Sequence, residues 1–133
     1  MAGGAAGDGV GVPNDVRLRA GGAPDGVMPA HRTHVWPWLK RPGQRLLLPT
    51  WLAITLYHDI FSWRELDECE LAHELCHVRQ WNANGLMYVP RYFRASRAAK
   101  AAGKDSYRGN TFEAEAYVCE DALRAALPAP QPA

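Results

Sequence analysis

The sequence predicts an α+β domain, a small β element followed by three helices, and three observations carry that reading. Trp51–Tyr57 brings together Ile54, Thr55, Leu56 and Tyr57, the β-branched and aromatic types that suit a pleated, half-buried strand. The stretch from Trp63 to Asn82 then runs without a single Gly or Pro. Two further helical stretches follow, each with a recognisable start and stop.

In chain order, His31 to Pro42 is rich in Trp, His and Pro, and its prolines predict irregular structure. Arg45–Leu48 reads as a short strand and Trp51–Tyr57 as a longer one. His58 and Asp59 serve as a tight turn, and Ile60–Trp63 is the return strand. Ser62 and Glu65 have the spacing of a capping box and would start the first helix, at about Trp63. Gly85 would stop it after Asn82-Ala-Asn, by adopting a backbone conformation closed to other residues. Pro90 suits the first turn of a second helix that continues to about Ala102. Asn110 or Thr111 caps a third, which ends before Pro128. Leu71, Leu75 and Val78 on the first helix, with Phe112, Ala116, Cys119 and Leu123 on the third, follow the 3–4 residue spacing of a buried stripe. Trp51, Leu52, Ile54 and Leu56 would close the core from the sheet.

The chain has 133 residues, which argues for one domain. Residues 1–30 hold eight of its twelve glycines and three of its prolines, so they bury too little surface to offset their ordering entropy and read as a flexible tail. Residues 128–133 make a second loose end, leaving 31–127 as the folded part. A formal net charge of +1 excludes a polyelectrolyte binder. Arg91, Arg94, Arg97, Lys100 and Lys104 recur largely at helical spacing and read as a solvated face, not a nucleic-acid surface. The most apolar run, Leu46–Tyr57, has 12 residues and contains Pro49, whereas a membrane span needs roughly 20. Three irregularly spaced cysteines, Cys69, Cys76 and Cys119, do not form a disulfide framework. With no signal peptide in view, a reduced, cytoplasmic protein is expected.

The chemistry concentrates in His73-Glu74-Leu75-Cys76-His77. A helix turns about 100° per residue, so side chains four apart point almost the same way and both imidazoles reach one ion. Glu74 follows the first ligand and can take a proton from water on the open side of the metal. Cys76 points about 100° away from His77, into the core. Zinc commonly takes three protein ligands at such a site and keeps one position open. No histidine follows His77, so the third ligand comes from Glu113, Glu115, Glu120 or Asp121, or from His31, His34 or His58 upstream.

Together, Ala72-His-Glu-Leu-Cys-His-Val-Arg-Gln-Trp81 and Asn110-Thr-Phe-Glu-Ala-Glu-Ala-Tyr117 resemble the gluzincin group of zinc metallopeptidases, and more narrowly small bacterial domains of that kind. The resemblance covers about residues 46–122. It implies a minimal zincin-like domain with a central HExxH helix, zinc on His73, His77 and Glu113, and Glu74 as general base. Glu115 is the next choice for the third ligand. Tyr117 stands where the family pattern carries an Asp that orients a histidine. That role would then fall to Asp121, Glu120 or a backbone carbonyl. Gln80 would be structural. Tyr88, Tyr92, Tyr107 and Arg108 are the choices for stabilising an oxyanion. A peptide or protein substrate would lie along residues 51–57. The alternative function is a non-catalytic, zinc-containing partner-binding module. A third possibility is an enzyme whose cleft is blocked by residues 31–42, with His31 or His34 at the open metal position.

Overall fold

Alternation along two short strands decides what faces the helices. In the computed structural model, which describes residues 28–129, β2 (Ala53–Leu56) and β3 (Asp59–Ser62) form an antiparallel hairpin, with Thr55 opposite Ile60 and Ala53 opposite Ser62. Thr55, Ile60 and Ser62 are buried, while Leu56 on the alternate face is half exposed and does not close the core. The turn is Tyr57-His58, and Tyr57 takes φ +60° to make it, a conformation few non-glycine residues adopt. The predicted tail at 1–30 and loose end at 128–133 fall, apart from 28–30 and 128–129, outside the described residues.

Residues 31–42 are more regular than expected. Arg32–Val35 forms β1, which pairs in parallel with β3, so the sheet order is β1-β3-β2. On the sheet face away from the helices, His34 stacks on Phe61 at 4.8 Å and Trp36 leans on the same ring at 5.1 Å. These contacts, with the backbone bond from Trp36 N–H to Ser62 O, hold residues 32–35 extended, ahead of the first proline of the segment at Pro37. The predicted strand at 45–48 is corrected too. A 3-10 turn at Pro37–Leu39 leads into a short helix, α1 (Lys40–Leu46). Gly43 fixes it there. A Cβ on Gly43 would come within 1.9 Å of the Trp51 ring, so the ring lies directly on the bare backbone.

Helix α2 (Glu68–Asn84) begins five residues later than predicted. Asp67 and Glu70 form the capping box, with Glu70 N–H donating to Asp67 Oδ1 at 2.8 Å and Asp67 N–H donating to Glu70 Oε1 at 3.0 Å. Ser62 and Glu65 share that spacing, but Ser62 is the last residue of β3 and its hydroxyl donates to Arg64 O. Gly85 ends α2 with φ +57°. Helix α3 (Tyr88–Ala101) and helix α4 (Thr111–Ala126) complete the order of a small sheet followed by three helices. Asn110 caps α4 by accepting from Phe112 N–H.

Two stripes, of Cys and Ala apart from Leu123, set the distance between α2 and α4. Cys69, Ala72 and Cys76 on α2 meet Ala116, Cys119 and Leu123 on α4 in two buried clusters. Both stripes step by three and then four, so they lie along facing sides of the two helices. Short side chains there allow close approach, which brings the neighbouring stripe, His73 and His77, within reach of Glu113. Leu75 and Val78 point the other way, onto Ile60, and Leu66 and Leu71 are partly buried against them. No described helix is long and apolar enough to cross a membrane.

Candidate metal centre

His73 and His77 lie one turn apart on α2, and Glu113 sits in the first turn of α4. All three side chains are buried. Glu113 Oε2 lies 3.2 Å from His73 Nε2 and 3.2 Å from His77 Nε2, and the two nitrogens are 3.2 Å from each other. A tetrahedral ion with bonds of about 2.0–2.1 Å holds its ligand atoms about 3.3 Å apart, so the triangle has the size of one face of a zinc coordination sphere.

The protons around the site make the same point independently. His77 Nδ1–H donates to Gln80 Oε1 at 2.8 Å, and His73 Nδ1 faces Glu120 Oε2 at 3.3 Å. Each acceptor fixes the ring tautomer and leaves the Nε2 lone pair facing inward. The Tyr92 hydroxyl donates to Glu113 Oε1 at 2.7 Å, which leaves Oε2 for the centre. Two imidazole nitrogens and a carboxylate oxygen thus converge on one point, an arrangement that a shared proton or a metal cation completes. Two nitrogens and one oxygen suit zinc better than magnesium or calcium, which prefer oxygen alone.

Electrostatics follow from that crowding. Burial disfavours the charged form of His77, but the Glu113 carboxylate outweighs it and raises the ring to about 9. Burial likewise opposes ionisation of Glu113, yet bonds from His73, His77 and Tyr92 hold it well below the usual carboxylate range. The pocket therefore draws positive charge, and a proton competes with a metal ion for it.

Of the other residues singled out in the sequence, Glu115 is exposed and turned away, its carboxylate 3.8 Å from the Cys76 thiol. Cys76 is buried against Ala116 and Cys119, as its position on the helix requires. Glu120, one of three groups considered for orienting a histidine, is the one beside His73, whereas Asp121 is exposed. Tyr117 does not replace the missing carboxylate. Its ring meets His73 edge-on at 4.6 Å. Gln80 is more than structural filler, because besides accepting from His77 its amide donates to Phe112 O at 3.0 Å and so ties α2 to the start of α4. Tyr88, Tyr92, Tyr107 and Arg108 all line the cleft, Tyr88 and Tyr92 bonded to Gln80 and Glu113, Tyr107 to Tyr117, and Arg108 lying over the Tyr117 ring at 4.5 Å. His31 bonds to Pro29 O and His34 to Asp59, on the sheet edge opposite β2, and the cleft lining contains none of residues 31–42. The blocked-cleft expectation is therefore wrong.

Glu74 is buried beside the triad in the wall of a cleft of about 870 Å³. Its Oε2 accepts from Thr55 Oγ1 at 2.6 Å. Sequence inspection did not find Thr55, because no spacing rule relates a strand to a helix nineteen residues on. The cleft runs between β2 and the α3 side, with Leu47, Leu48, Val89 and Phe93 among its lining. The β2 edge facing it is open. Trp63 N–H donates to Leu52 O across the hairpin, so alternation turns the amides of Ala53 and Thr55 away from β3. Trp81 Nε1–H takes Thr55 O at 3.1 Å, in keeping with that orientation.

The HExxH helix and the compact triad are consistent with a gluzincin-like zinc-binding fold. Comparison of the chain with protein-family models, with curated proteins and with solved structures returns no match, so the functional reading rests on the residues and their geometry.

Proposed function

We propose that this chain is a zinc-dependent metallopeptidase that hydrolyses a peptide bond, with His73, His77 and Glu113 as the ligands. The observation that supports it best is the cation-seeking triangle of 3.2 Å sides beside a buried glutamate, on the wall of an open cleft. A zinc ion bound there would act as a Lewis acid, polarising a carbonyl and making a water acidic enough to lose a proton near neutral pH. Glu74 is the base that receives that proton and returns it to the departing amine. Glu120 and Gln80 keep the two imidazoles in the tautomer that presents Nε2. One of Tyr88, Tyr92, Tyr107 and Arg108 donates to the oxyanion as it develops. The open edge of β2 supplies Ala53 N–H, Ala53 O and Thr55 N–H to an extended peptide, a mode that recognises main chain before side chain. The reaction would take place in the cytoplasm.

Peptide-library hydrolysis by zinc-loaded protein tests this reading, with Glu74→Gln as the control. Turnover should fall by roughly 10²- to 10⁴-fold in the variant, the usual worth of a positioned base, while zinc content by elemental analysis stays at the wild-type level. Equal turnover in both proteins would remove Glu74 from the mechanism. Zinc retention with no turnover on any peptide would leave the partner-binding module as the function.

A further inference from the structure

We infer that Thr55 is a positioning residue for Glu74, and that it ties the base to the strand on which substrate would lie. The inference rests on the peptidase reading above. Thr55 is buried in the middle of the cleft-edge strand and is joined to α2 by three contacts, the longest of them 3.5 Å from its hydroxyl to Glu74 O. Its hydroxyl donates to Glu74 Oε2 at 2.6 Å, and its carbonyl accepts from Trp81 Nε1–H at 3.1 Å. Its third polar group, the amide N–H, points to the open edge by the alternation of the hairpin. One residue thus contacts the base through its side chain, the helix through its carbonyl and the substrate groove through its amide.

The chemistry of the bond favours positioning over packing alone. A hydroxyl donating to an ionised carboxylate makes a short, charge-assisted hydrogen bond, and 2.6 Å is within that range. With Oε2 held by Thr55, the rotation of the Glu74 carboxylate is fixed and Oε1 is the oxygen left for proton transfer. No hydrogen bond to Glu74 from a side chain other than Thr55 is seen among the described residues. Without the hydroxyl, the carboxylate would sample orientations in which neither oxygen faces the reacting water, and proximity effects of this kind are steep in geometry. Binding of an extended peptide would depend on the Thr55 amide and not on its hydroxyl, so loss of the hydroxyl should act on kcat and spare KM.

Thr55→Val keeps the shape and loses the hydroxyl, whereas Thr55→Ser keeps the hydroxyl and loses a methyl group. The expected result is a kcat about tenfold or more lower in Thr55→Val, with KM within about twofold, and near wild-type kcat in Thr55→Ser. Zinc content should be unchanged in both. A second readout does not use turnover: urea unfolding of metal-free wild type, Thr55→Val, Glu74→Gln and the double variant. Coupling between the two sites is expected, with the double variant losing less stability than the sum of the single variants. Wild-type kcat in Thr55→Val, or a Thr55→Ser defect as large as that of Thr55→Val, would overturn the inference with the peptidase reading intact. Additive unfolding would overturn it as well. A wild-type protein without zinc-dependent turnover would instead bring down the peptidase reading, and the catalytic role of Thr55 with it.

Discussion

The two walls of the cleft are built on opposite principles. On the helical wall the buried polar side chains are committed. His77 is held by Gln80, His73 faces Glu120, Glu113 is held by Tyr92, and Asn110 spends its amide on Tyr92 O and Ser96 Oγ while its oxygen caps α4. No buried side-chain nitrogen or oxygen among the described residues lacks a partner. On the strand wall the amides of Ala53 and Thr55 face outward, and large apolar side chains flank the opening. Leu47 beside the strand is 53% exposed, and Val89 and Phe93, 43% and 62% exposed, face it across the opening from α3. The first wall is a rigid frame for three ligand atoms, whose positions must hold to a fraction of an ångström. The second is left unsatisfied, which is what a surface that receives another chain requires. Thr55 and Trp81 are where the two meet.

Breaking the frame should have the largest effect. Glu113→Ala is expected to bring zinc content close to none and to weaken zinc affinity by more than about a hundredfold, beyond the usual cost of losing an outer-shell partner. Glu115→Ala should retain zinc, and elemental analysis of the two proteins in parallel checks both. If Glu115→Ala loses zinc and Glu113→Ala keeps it, the wrong face of α4 has been assigned.

Asn110 tests how far the frame depends on its outer members. It is fully buried, and Asn110→Ala removes a helix cap together with two side-chain bonds to α3. A loss of about 2–3 kcal/mol in urea unfolding is expected, from about 1 for the cap and the remainder for polar groups left unpaired. A change below about 0.5 kcal/mol would show that α4 is held without it.

The tautomer-fixing groups come next. Glu120→Gln and Gln80→Leu should each weaken zinc affinity by about 10- to 100-fold in a competitive chelator titration, with folding retained. Unchanged affinity in both would reduce these contacts to packing.

The smallest effect belongs to the far edge of the sheet, remote from the cleft. The His34 ring and then the Arg32 guanidinium hold the Asp59 carboxyl below its usual value. A depressed carboxyl contributes stability above its unfolded value, near pH 4, and loses it as pH falls through the lower folded value. The melting temperature of Asp59→Asn should therefore fall less steeply than that of wild type below about pH 4, and the two slopes should agree near neutrality. Parallel acid curves would remove this pair from the stability of the sheet.

Much of the frame is periodic, and periodicity is local. His73 and His77 share a face because four residues make about one turn, and Glu113, Tyr117 and Glu120 share another for the same reason. The small-residue stripes are visible in the same way, as are the Asn110 cap and the Gly85 stop. The first capping box was misplaced because two candidates with identical spacing, Ser62/Glu65 and Asp67/Glu70, lie five residues apart. Pairing of Ser62 with β1 decided between them, and that pairing joins residues 27 apart in the chain.

The sequence by itself therefore determined an α+β domain with a metal-seeking helix, and it put the third ligand among a few carboxylates. Tertiary structure decided the rest. It turned 40–46 into a helix by laying Trp51 on Gly43, and it moved His31 and His34 to the edge away from the cleft. It also chose Glu120 over Asp121 beside His73 and placed Thr55 on Glu74. A helix face follows from about 100° per residue. Which oxygen lies 2.6 Å from which hydroxyl depends on how a strand and a helix pack, here through Ile60 of the sheet seated against Leu75 and Val78 of the helix.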